Sequence, residues 1–227
     1  MRLRVLVYNV RGFRAGVDRV VAAVAEHRPD VALVQECDSR RRLGRFARGL
    51  EMEAVSTRLF PLRRQVRNAV LVRPPWRVVS FRLHRFDRSQ RFYPRGVLLA
   101  VVGRSGYRIT AMSVHLGLAP GERARHAREL GDVALGAHGP ALIGGDLNEG
   151  PEGKAASWVA ARFWDTSAGS DESPAPTFPS VDPTVRIDYL FASERFRVDR
   201  SRVLDTPETR EASDHLPLVV DIEVDGG

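Results

Sequence analysis

Several apolar runs in this sequence end on a polar residue of a type that can take part in chemistry. The run ALVQE ends at Glu36, and the run ALIGGDLN presents Asp146 and Asn148, two positions apart, after a pair of glycines. Packing does not explain a carboxylate and a carboxamide where a buried strand meets a loop. The same pattern recurs at five further residues, which are Asn9, His115, Asp188, Asp214 and His215.

These residue types form a matched set of ligands for a hard cation. Carboxylate and carboxamide oxygens suit Mg²⁺ or Mn²⁺, and Mg²⁺ is commonly held by one or two carboxylates together with a substrate phosphate. The one cysteine, Cys37, cannot form a thiolate cluster, and the six histidines lack the spacing of a zinc site. A cation at such a place neutralises the phosphate while water is aligned opposite the leaving oxygen.

Each of these residues also has a structural explanation. Asn9 is of a type common in turns, Glu36 can be a surface carboxylate, and a histidine beside an apolar strand, such as His115, usually belongs to a satisfied core. Asp214 and His215 can form a helix cap or a surface ion pair. These explanations do not account for the recurrence of such residues at the ends of many strands. Layered α/β proteins place their active sites at strand ends.

The later residues have the same two explanations. Asp146 and Asn148 can cap a helix that starts after Gly150, and Asp188 can form an ion pair with Arg186. For a functional role, the two glycines before Asp146 predict a tight turn at the strand end. Because alternate residues of an extended segment share a face, the side chains of Asp146 and Asn148 are expected to point into one pocket.

The elements that position these residues follow from hydrophobic periodicity. Helical spacing of apolar residues predicts helices over 17–24, over 39–50 and from Pro120 to His138. Residues 165–183 are rich in Ser, Pro and Asp and predict a long surface loop. The predicted strands are LRVLVYNV, DVALVQE, NAVLVR, WRVVSFRL, GVLLAVVG, YRITAMSVHLGL, ALIGGD, RIDYLFAS and HLPLVVDIEV. This order predicts helices packed outside β-sheets.

Length and composition set further bounds. A chain of 227 residues with 43% hydrophobic residues is expected to form a single domain over residues 1–227. No apolar stretch approaches the roughly 18 residues of a membrane-spanning helix, and the amino-terminal residues do not fit a signal peptide, so a cytoplasmic location is expected. Cys37 can be a reactive thiol beside Glu36, but strand alternation favours the core.

The net charge of +7 favours an anionic partner. All but one of the basic residues are arginines, the exception being Lys154, and this bias can also arise from genome composition. Arginine is concentrated at 39–48, 58–73 and 82–95. The aromatic residues around the last stretch can stack on bases or pack between sheets; they are Phe81, Phe86, Phe92 and Tyr93.

Six segments closely resemble the endonuclease/exonuclease/phosphatase superfamily of DNase I-like phosphoesterases. In chain order they are VLVYNVRGF, ALVQE, SVHLGL, IGGDLNEGP, RIDYLF and SDHLPLVVDI, and they span nearly the full length. The superfamily includes deoxyribonucleases, apurinic endonucleases, deadenylases, sphingomyelinases and inositol-polyphosphate phosphatases. The resemblance implies a four-layer α/β sandwich, with two mixed β-sheets packed face to face, helices on the outside and the active site at one end.

The resemblance also implies a metal site and a catalytic histidine. It makes Glu36 the principal ligand of Mg²⁺ or Mn²⁺, with Asn9 and Asp214 helping directly or through water. His215 would contact the scissile phosphate or serve as general base, and Asp188 would orient it.

Three further residues receive roles from the resemblance. Asp146 would position or deprotonate the attacking water, and Asn148 and His115 would stabilise charge on the phosphoryl oxygens. Arg67 and Asn68 resemble the segment that borders the substrate cleft in many relatives.

The substrate is open below the superfamily level. The histidine of SVHL disfavours an apurinic endonuclease, and the positive charge favours a nuclease acting on nucleic acid. The alternative is a phosphomonoesterase or a phospholipid (sphingomyelinase-like) phosphodiesterase that uses the same centre on a small phosphate ester or a lipid headgroup. A non-catalytic anion-binding module is disfavoured, because every polar strand-end residue is present. A monomer is expected.

Overall fold

The computed structural model describes residues 1–57, 65–87, 93–137, 139–169 and 174–224. These ranges form twelve strands and five α-helices. The strands are β1 (Arg2–Asn9), β2 (Val31–Gln35), β3 (Glu53–Ser56), β4 (Ala69–Val72), β5 (Arg77–Arg85), β6 (Gly96–Arg104), β7 (Tyr107–His115), β8 (Ala141–Asp146), β9 (Trp164–Asp165), β10 (Asp188–Ala192), β11 (Phe196–Val203) and β12 (Leu218–Val224). The helices are α1 (Val17–Ala22), α2 (Arg40–Gly49), α3 (Pro120–Leu135), α4 (Lys154–Ala160) and α5 (Pro207–Ala212).

The strands form two mixed six-stranded sheets. The first has the order β11-β12-β1-β2-β4-β3 and the second the order β5-β6-β7-β8-β10-β9. Each sheet contains one central parallel pair, β1 with β2 and β7 with β8, and antiparallel neighbours. Buried apolar side chains of both sheets form one cluster between them. The predicted pair of face-to-face mixed sheets is confirmed.

Two outer apolar layers attach the helices. Residues of α1 and α2, such as Val20 and Phe46, pack on the outer face of the first sheet. Residues of α3 and α4, such as Leu130 and Val159, pack on the second. The protein therefore has four layers. Each sheet has two apolar faces, one covered by the other sheet and one covered by helices. None of the helices in the described ranges combines the length and apolar character that crossing a membrane requires.

Several elements differ from the sequence predictions. The first helix ends at Ala22 and is followed by a short 3₁₀ turn, Ala25–His27. Helices α4 and α5 and strands β3, β9 and β11 were not predicted. Helices of seven and six residues are too short to show periodicity. In β11, a bulge between Val198 and Arg200 breaks the alternation.

The predicted tight turn at Gly144 and Gly145 is wrong, because both residues lie within β8 and pair with β7 and β10. Glycine is required at both positions because atoms of neighbouring residues lie where a Cβ atom would be. A Cβ on Gly144 would lie 2.6 Å from Cδ1 of Leu33 in the opposite sheet, and one on Gly145 would lie 1.9 Å from the carbonyl oxygen of Val114. These glycines let β8 sit close to the first sheet and to β7.

Gly145→Ala should lower the free energy of unfolding by at least about 2 kcal/mol, since the added methyl group meets backbone that cannot move without breaking the β7–β8 pairing. Urea denaturation measures the change. Gly44→Ala is the matched control, because Gly44 lies inside α2 with only Arg48 Nη1 near, at 3.6 Å. It should raise the free energy of unfolding by about 0.5–1 kcal/mol. Equal effects of the two substitutions would contradict the close-approach explanation.

Candidate active site

Polar residues from the ends of both sheets meet at one end of the sandwich. In the second sheet, Asp146 pairs in register with His115 on one side and with Asp188 on the other. From the first sheet, Asn9 Nδ2 donates a hydrogen bond to Asp146 Oδ2 at 3.0 Å and lies 3.4 Å from His215 Nε2. The structure therefore brings together these five residues, which are far apart in sequence.

Asp146 is the centre of this cluster. It is 2% exposed, and its Oδ2 atom lies 3.2 Å from His115 Nε2 and 3.8 Å from His215 Nε2. Burial by itself raises the pKa of a carboxyl group, but the two imidazoles and the backbone N–H of Asn148 outweigh it and hold the pKa of Asp146 below its ordinary range. The buried carboxylate is therefore ionised.

His215 and Asp188 form a buried hydrogen-bonded pair, with 2.9 Å between His215 Nδ1 and Asp188 Oδ2. Burial lowers the pKa of His215, but the carboxylates of Asp188, Asp146 and Asp214 raise it by more, to about 10. Burial also raises the pKa of Asp188, against the opposing effect of His215. The pair holds the ring with Nε2 directed towards Asp146.

The backbone around Asp188 is fixed by Thr177, whose Oγ1 accepts hydrogen bonds from the backbone N–H groups of Ile187 and Asp188. Thr177 lies in the predicted 165–183 loop. Apart from a short strand, a 3₁₀ turn and one isolated bridge, the described part of that loop has no regular element. The alternative explanation of Asp188, an ion pair with Arg186, does not hold, because Arg186 instead forms a two-point ion pair with Asp165.

Asn148 lies beside Asp146, but not for the predicted reason. Its φ of +52° places it in a left-handed turn, so the extended-segment argument is wrong. Its backbone N–H donates to Asp146 Oδ1 at 2.8 Å, and its Nδ2 donates to the carbonyl oxygen of Leu116. Neither residue caps the following helix, because the Glu149 carboxylate accepts the N–H groups of Ala155 and Ala156 at the start of α4.

Glu36 follows β2 with a φ of +58° and faces a cavity of about 230 Å³ beside His115. Within the described residues its carboxylate has no hydrogen-bond or ion-pair partner. A half-buried carboxylate without a partner suits a hard cation such as Mg²⁺ or Mn²⁺. The donor set at this strand end therefore fits the expected metal.

No side-chain hydrogen bond joins any two of the three predicted metal ligands. Asn9 is hydrogen-bonded to Asp146, whereas Asp214 Oδ2 lies 3.0 Å from Arg11 Nε. A different trio, Asp146, Asp188 and His215, has ligand atoms within 4.8 Å of one another. A hydrogen bond links His215 to Asp188, and Asn9 Nδ2 lies near both Asp146 and His215, so we interpret this trio as the group that orients His215 and not as a metal cage.

Arg95 was not singled out from the sequence, where it is one of many arginines. It lies immediately before β6, and its Nη1 atom is 2.7 Å from the ring nitrogens of His115. Burial lowers the pKa of Arg95, while Asp146 and Glu36 oppose that effect. Arg95 therefore places a half-buried guanidinium beside the second histidine of the cluster.

The aromatic residues near this end have different surroundings. Phe86 is buried on the α3 side of the second sheet and stacks on His126, whereas Phe81 and Tyr93 are exposed. Phe92 lies outside the described residues, as do 58–64 and 88–91 of the arginine-rich stretches. Cys37 is fully buried, as alternation predicts, and burial followed by Asp38 and Glu36 raises the pKa of its thiol.

Comparison with known proteins gives a family match and structural neighbours. The model of the endonuclease/exonuclease/phosphatase family matches residues 6–215. A Bacteroides vulgatus protein of that description is 16% identical, with a TM-score of 0.83 over 99% of this chain and 100% of that one. None of the curated proteins compared with the sequence matches it.

Two further structures are similar in fold. Mannosyl-6-phosphatase from Bacteroides thetaiotaomicron is 20% identical, with a TM-score of 0.79 over 97% of this chain and 99% of that one. TDP2 from D. rerio, complexed with single-strand DNA product, is 16% identical, with a TM-score of 0.79 over 98% of this chain and 99% of that one.

Asp188→Asn should lower the pKa of His215 in the metal-free protein from about 10 towards or below the value of about 6.5 of a free imidazole. The reason is that burial remains while the nearest carboxylate is removed. Imidazole chemical shifts measured by NMR against pH report the change. Because the folded-state pKa is raised, His215 stabilises the fold fully below about pH 6.5, and this contribution is lost as pH rises through about 10.

The matched control is Asp205→Asn, which removes a carboxylate paired with Arg210 on the surface. It should leave the His215 titration unchanged. An unchanged titration in Asp188→Asn would show that the pair does not set the charge of the ring.

Proposed function

Since the chain belongs to the endonuclease/exonuclease/phosphatase family, we propose that it is a Mg²⁺- or Mn²⁺-dependent phosphoester hydrolase that cleaves nucleic-acid phosphodiesters. The observation that carries the proposal is the buried, ionised Asp146, which Asn9, His115 and His215 surround where the two sheets meet. Such a constellation is costly to bury, and it supplies the groups that hydrolysis of a phosphate ester needs.

Glu36 would hold the cation, with Asn9 and Asp214 helping directly or through water. When bound, the cation neutralises the phosphate and lowers the barrier to in-line attack. The unpaired carboxylate of Glu36 beside the cavity supports this assignment.

Asp146 would orient the attacking water. An ionised carboxylate whose pKa lies below its ordinary range accepts a hydrogen bond from water but is a weak proton acceptor. Of the two roles considered for Asp146, positioning is therefore the one that its surroundings support.

His215 would donate from Nε2 to an oxygen of the scissile phosphate. Asp188 holds its Nδ1 atom at 2.9 Å, so that the ring is fixed and the other nitrogen faces Asp146. The flanking carboxylates favour the protonated ring, which is a hydrogen-bond donor and not a general base. His115, assisted by Arg95, and Asn148 would stabilise charge on the remaining phosphoryl oxygens.

Charge supports nucleic acid as the substrate. The net charge is +7, and the cavity beside Glu36 is lined by Arg14, Arg67 and Arg95. Backbone phosphates are the group that such arginines match. A small phosphate ester or a phospholipid headgroup is the alternative, since the same centre could act on either.

Glu36→Ala and Asp146→Asn should each lower metal-dependent hydrolysis by at least about 10²-fold, because each removes a group required in the transition state. The substrates are supercoiled plasmid, single-stranded oligonucleotide, sphingomyelin, phosphatidylinositol phosphates and a chromogenic phosphodiester, each with Mg²⁺ or Mn²⁺ and with EDTA. Circular dichroism checks folding.

The matched control is Glu194→Ala, which removes an exposed carboxylate just beyond the distal end of β10. It should retain wild-type activity. Full activity of folded Glu36→Ala and Asp146→Asn proteins would contradict the roles assigned to these two residues. Cleavage of lipid or small ester with plasmid untouched would support the catalytic centre but contradict the proposed nuclease activity.

Salt dependence separates the two substrate classes. Cleavage of a polynucleotide should fall steeply as NaCl rises from about 50 to 200 mM, because binding releases counterions from several phosphates. Hydrolysis of the chromogenic phosphodiester should change much less. Initial rates measured side by side give the comparison, and equal salt slopes would count against an extended nucleic-acid substrate.

A further inference from the structure

Two arginines at the active-site end of the sandwich form no ion pair with any acidic side chain that the structure describes. The side chain of Arg14 has no hydrogen-bond or ion-pair partner among the described residues. The guanidinium group of Arg67 stacks on the ring of Tyr93, with 5.1 Å from its Cζ to the ring centroid, and has no ion-pair partner among them. Other arginines at this end are paired: Arg11 with Asp214 and Arg42 with Asp38. Arg14 and Arg67 are therefore available to an anionic ligand.

Arg14 lies between two cavities. One, of about 230 Å³, is also lined by Glu36, Arg67 and His115. The other, of about 220 Å³, contains the Arg11–Asp214 ion pair. One cavity therefore opens on each side of the segment that follows β1.

Sheet order fixes where these cavities lie. Adjacent strands of the first sheet run β12, β1, β2, β4, so three inter-strand spacings separate the start of β12 from the start of β4, or about 14 Å. Asp214 precedes β12, and Arg67 precedes β4. Asn9, at the end of β1, lies between them, so the cavities flank the centre that contains Asp146 and His215.

The electrostatics of the first cavity favour an anion. Among the described residues that line it, Glu36 is the one carboxylate, against Arg14, Arg67 and Arg95. Arg95 contacts His115, which is assigned to the scissile phosphate. The guanidinium groups of Arg14 and Arg67 are therefore not needed for that phosphate. Guanidinium groups bind phosphate oxygens through charge-assisted hydrogen bonds.

We propose that Arg14 and Arg67 form a second anion subsite, which binds a phosphate next to the scissile one. The subsite rests on the proposed function, because it takes the Asp146 centre as the place of cleavage. Its ligand is a nucleotide or other ester that carries two phosphates on neighbouring positions. Arg14 and Arg67 are thus specificity-determining residues, which select phosphodiesters within a longer anionic chain over isolated monophosphates.

The test is equilibrium binding in EDTA, where neither metal nor turnover contributes. Titration calorimetry compares thymidine 3′,5′-bisphosphate with thymidine 5′-monophosphate. The wild-type protein should bind the bisphosphate at least about tenfold more tightly, the gain expected from one further charge-assisted contact. Arg14→Ala and Arg67→Ala should each reduce that preference to about twofold or less, and Arg14→Lys should restore part of it.

Arg77→Ala is the matched control, because Arg77 is exposed at the end of β5 remote from the site and forms no ion pair with the described Asp or Glu residues. It makes the same change in net charge and should keep the wild-type preference. Equal affinities of the wild-type protein for both ligands, or an unchanged preference in Arg14→Ala, would overturn the subsite.

The two proposals fail separately. If no substrate is hydrolysed but the bisphosphate preference depends on Arg14 and Arg67, the two arginines are an anion-binding site and the proposed activity is wrong. If plasmid is cleaved but the bisphosphate has no advantage, the activity stands and the subsite falls.

Discussion

A carboxylate buried in a protein must be stabilised by hydrogen bonds and opposite charge, and Asp146 imposes this requirement on both sheets. Its partners come from β1, from β7 and from the segment before β12. Asn9, the partner from β1, is 137 residues away from Asp146 in sequence. The ends of the strands must therefore meet in one register for the carboxylate to be satisfied. The same arrangement that satisfies Asp146 also orients His215 and leaves Glu36 beside a cavity. The fold and the proposed chemistry therefore both depend on the burial of the Asp146 carboxylate.

A second polar layer lies just below this centre and joins the sheets. Gln35 Nε2 donates to Ser113 Oγ at 3.0 Å, and Ser113 Oγ donates to the carbonyl oxygen of Val34. Asn68 Nδ2 donates to the carbonyl oxygen of Ser113 in the same region. Buried hydrogen bonds of this kind have few alternative partners, so they fix the relative position of β2, β4 and β7. The apolar core beneath supplies stability, and this layer supplies alignment.

Much of this arrangement could be predicted from sequence. Alternating or continuous apolar runs identify nine of the strands, and the polar residue at the end of a run marks the active-site end. Hydrophobic periodicity gives no signal for side-chain contacts between neighbouring strands or between sheets, which is why Arg95 beside His115 and the Gln35–Ser113 hydrogen bond were not found. The glycine pair before Asp146 was misinterpreted because glycine serves tight turns and close strand packing alike, and only the position of Leu33 and Val114 distinguishes them.

The buried thiol of Cys37 has a practical consequence. It is the one cysteine of the chain, it is fully buried, and its raised pKa keeps it in the unreactive thiol form. A maleimide dye will therefore react with a cysteine introduced at an exposed position and leave the native one alone. The unmodified sequence is already a suitable background for single-site fluorescent labelling, in which a dye beside the cavities reports occupancy in real time.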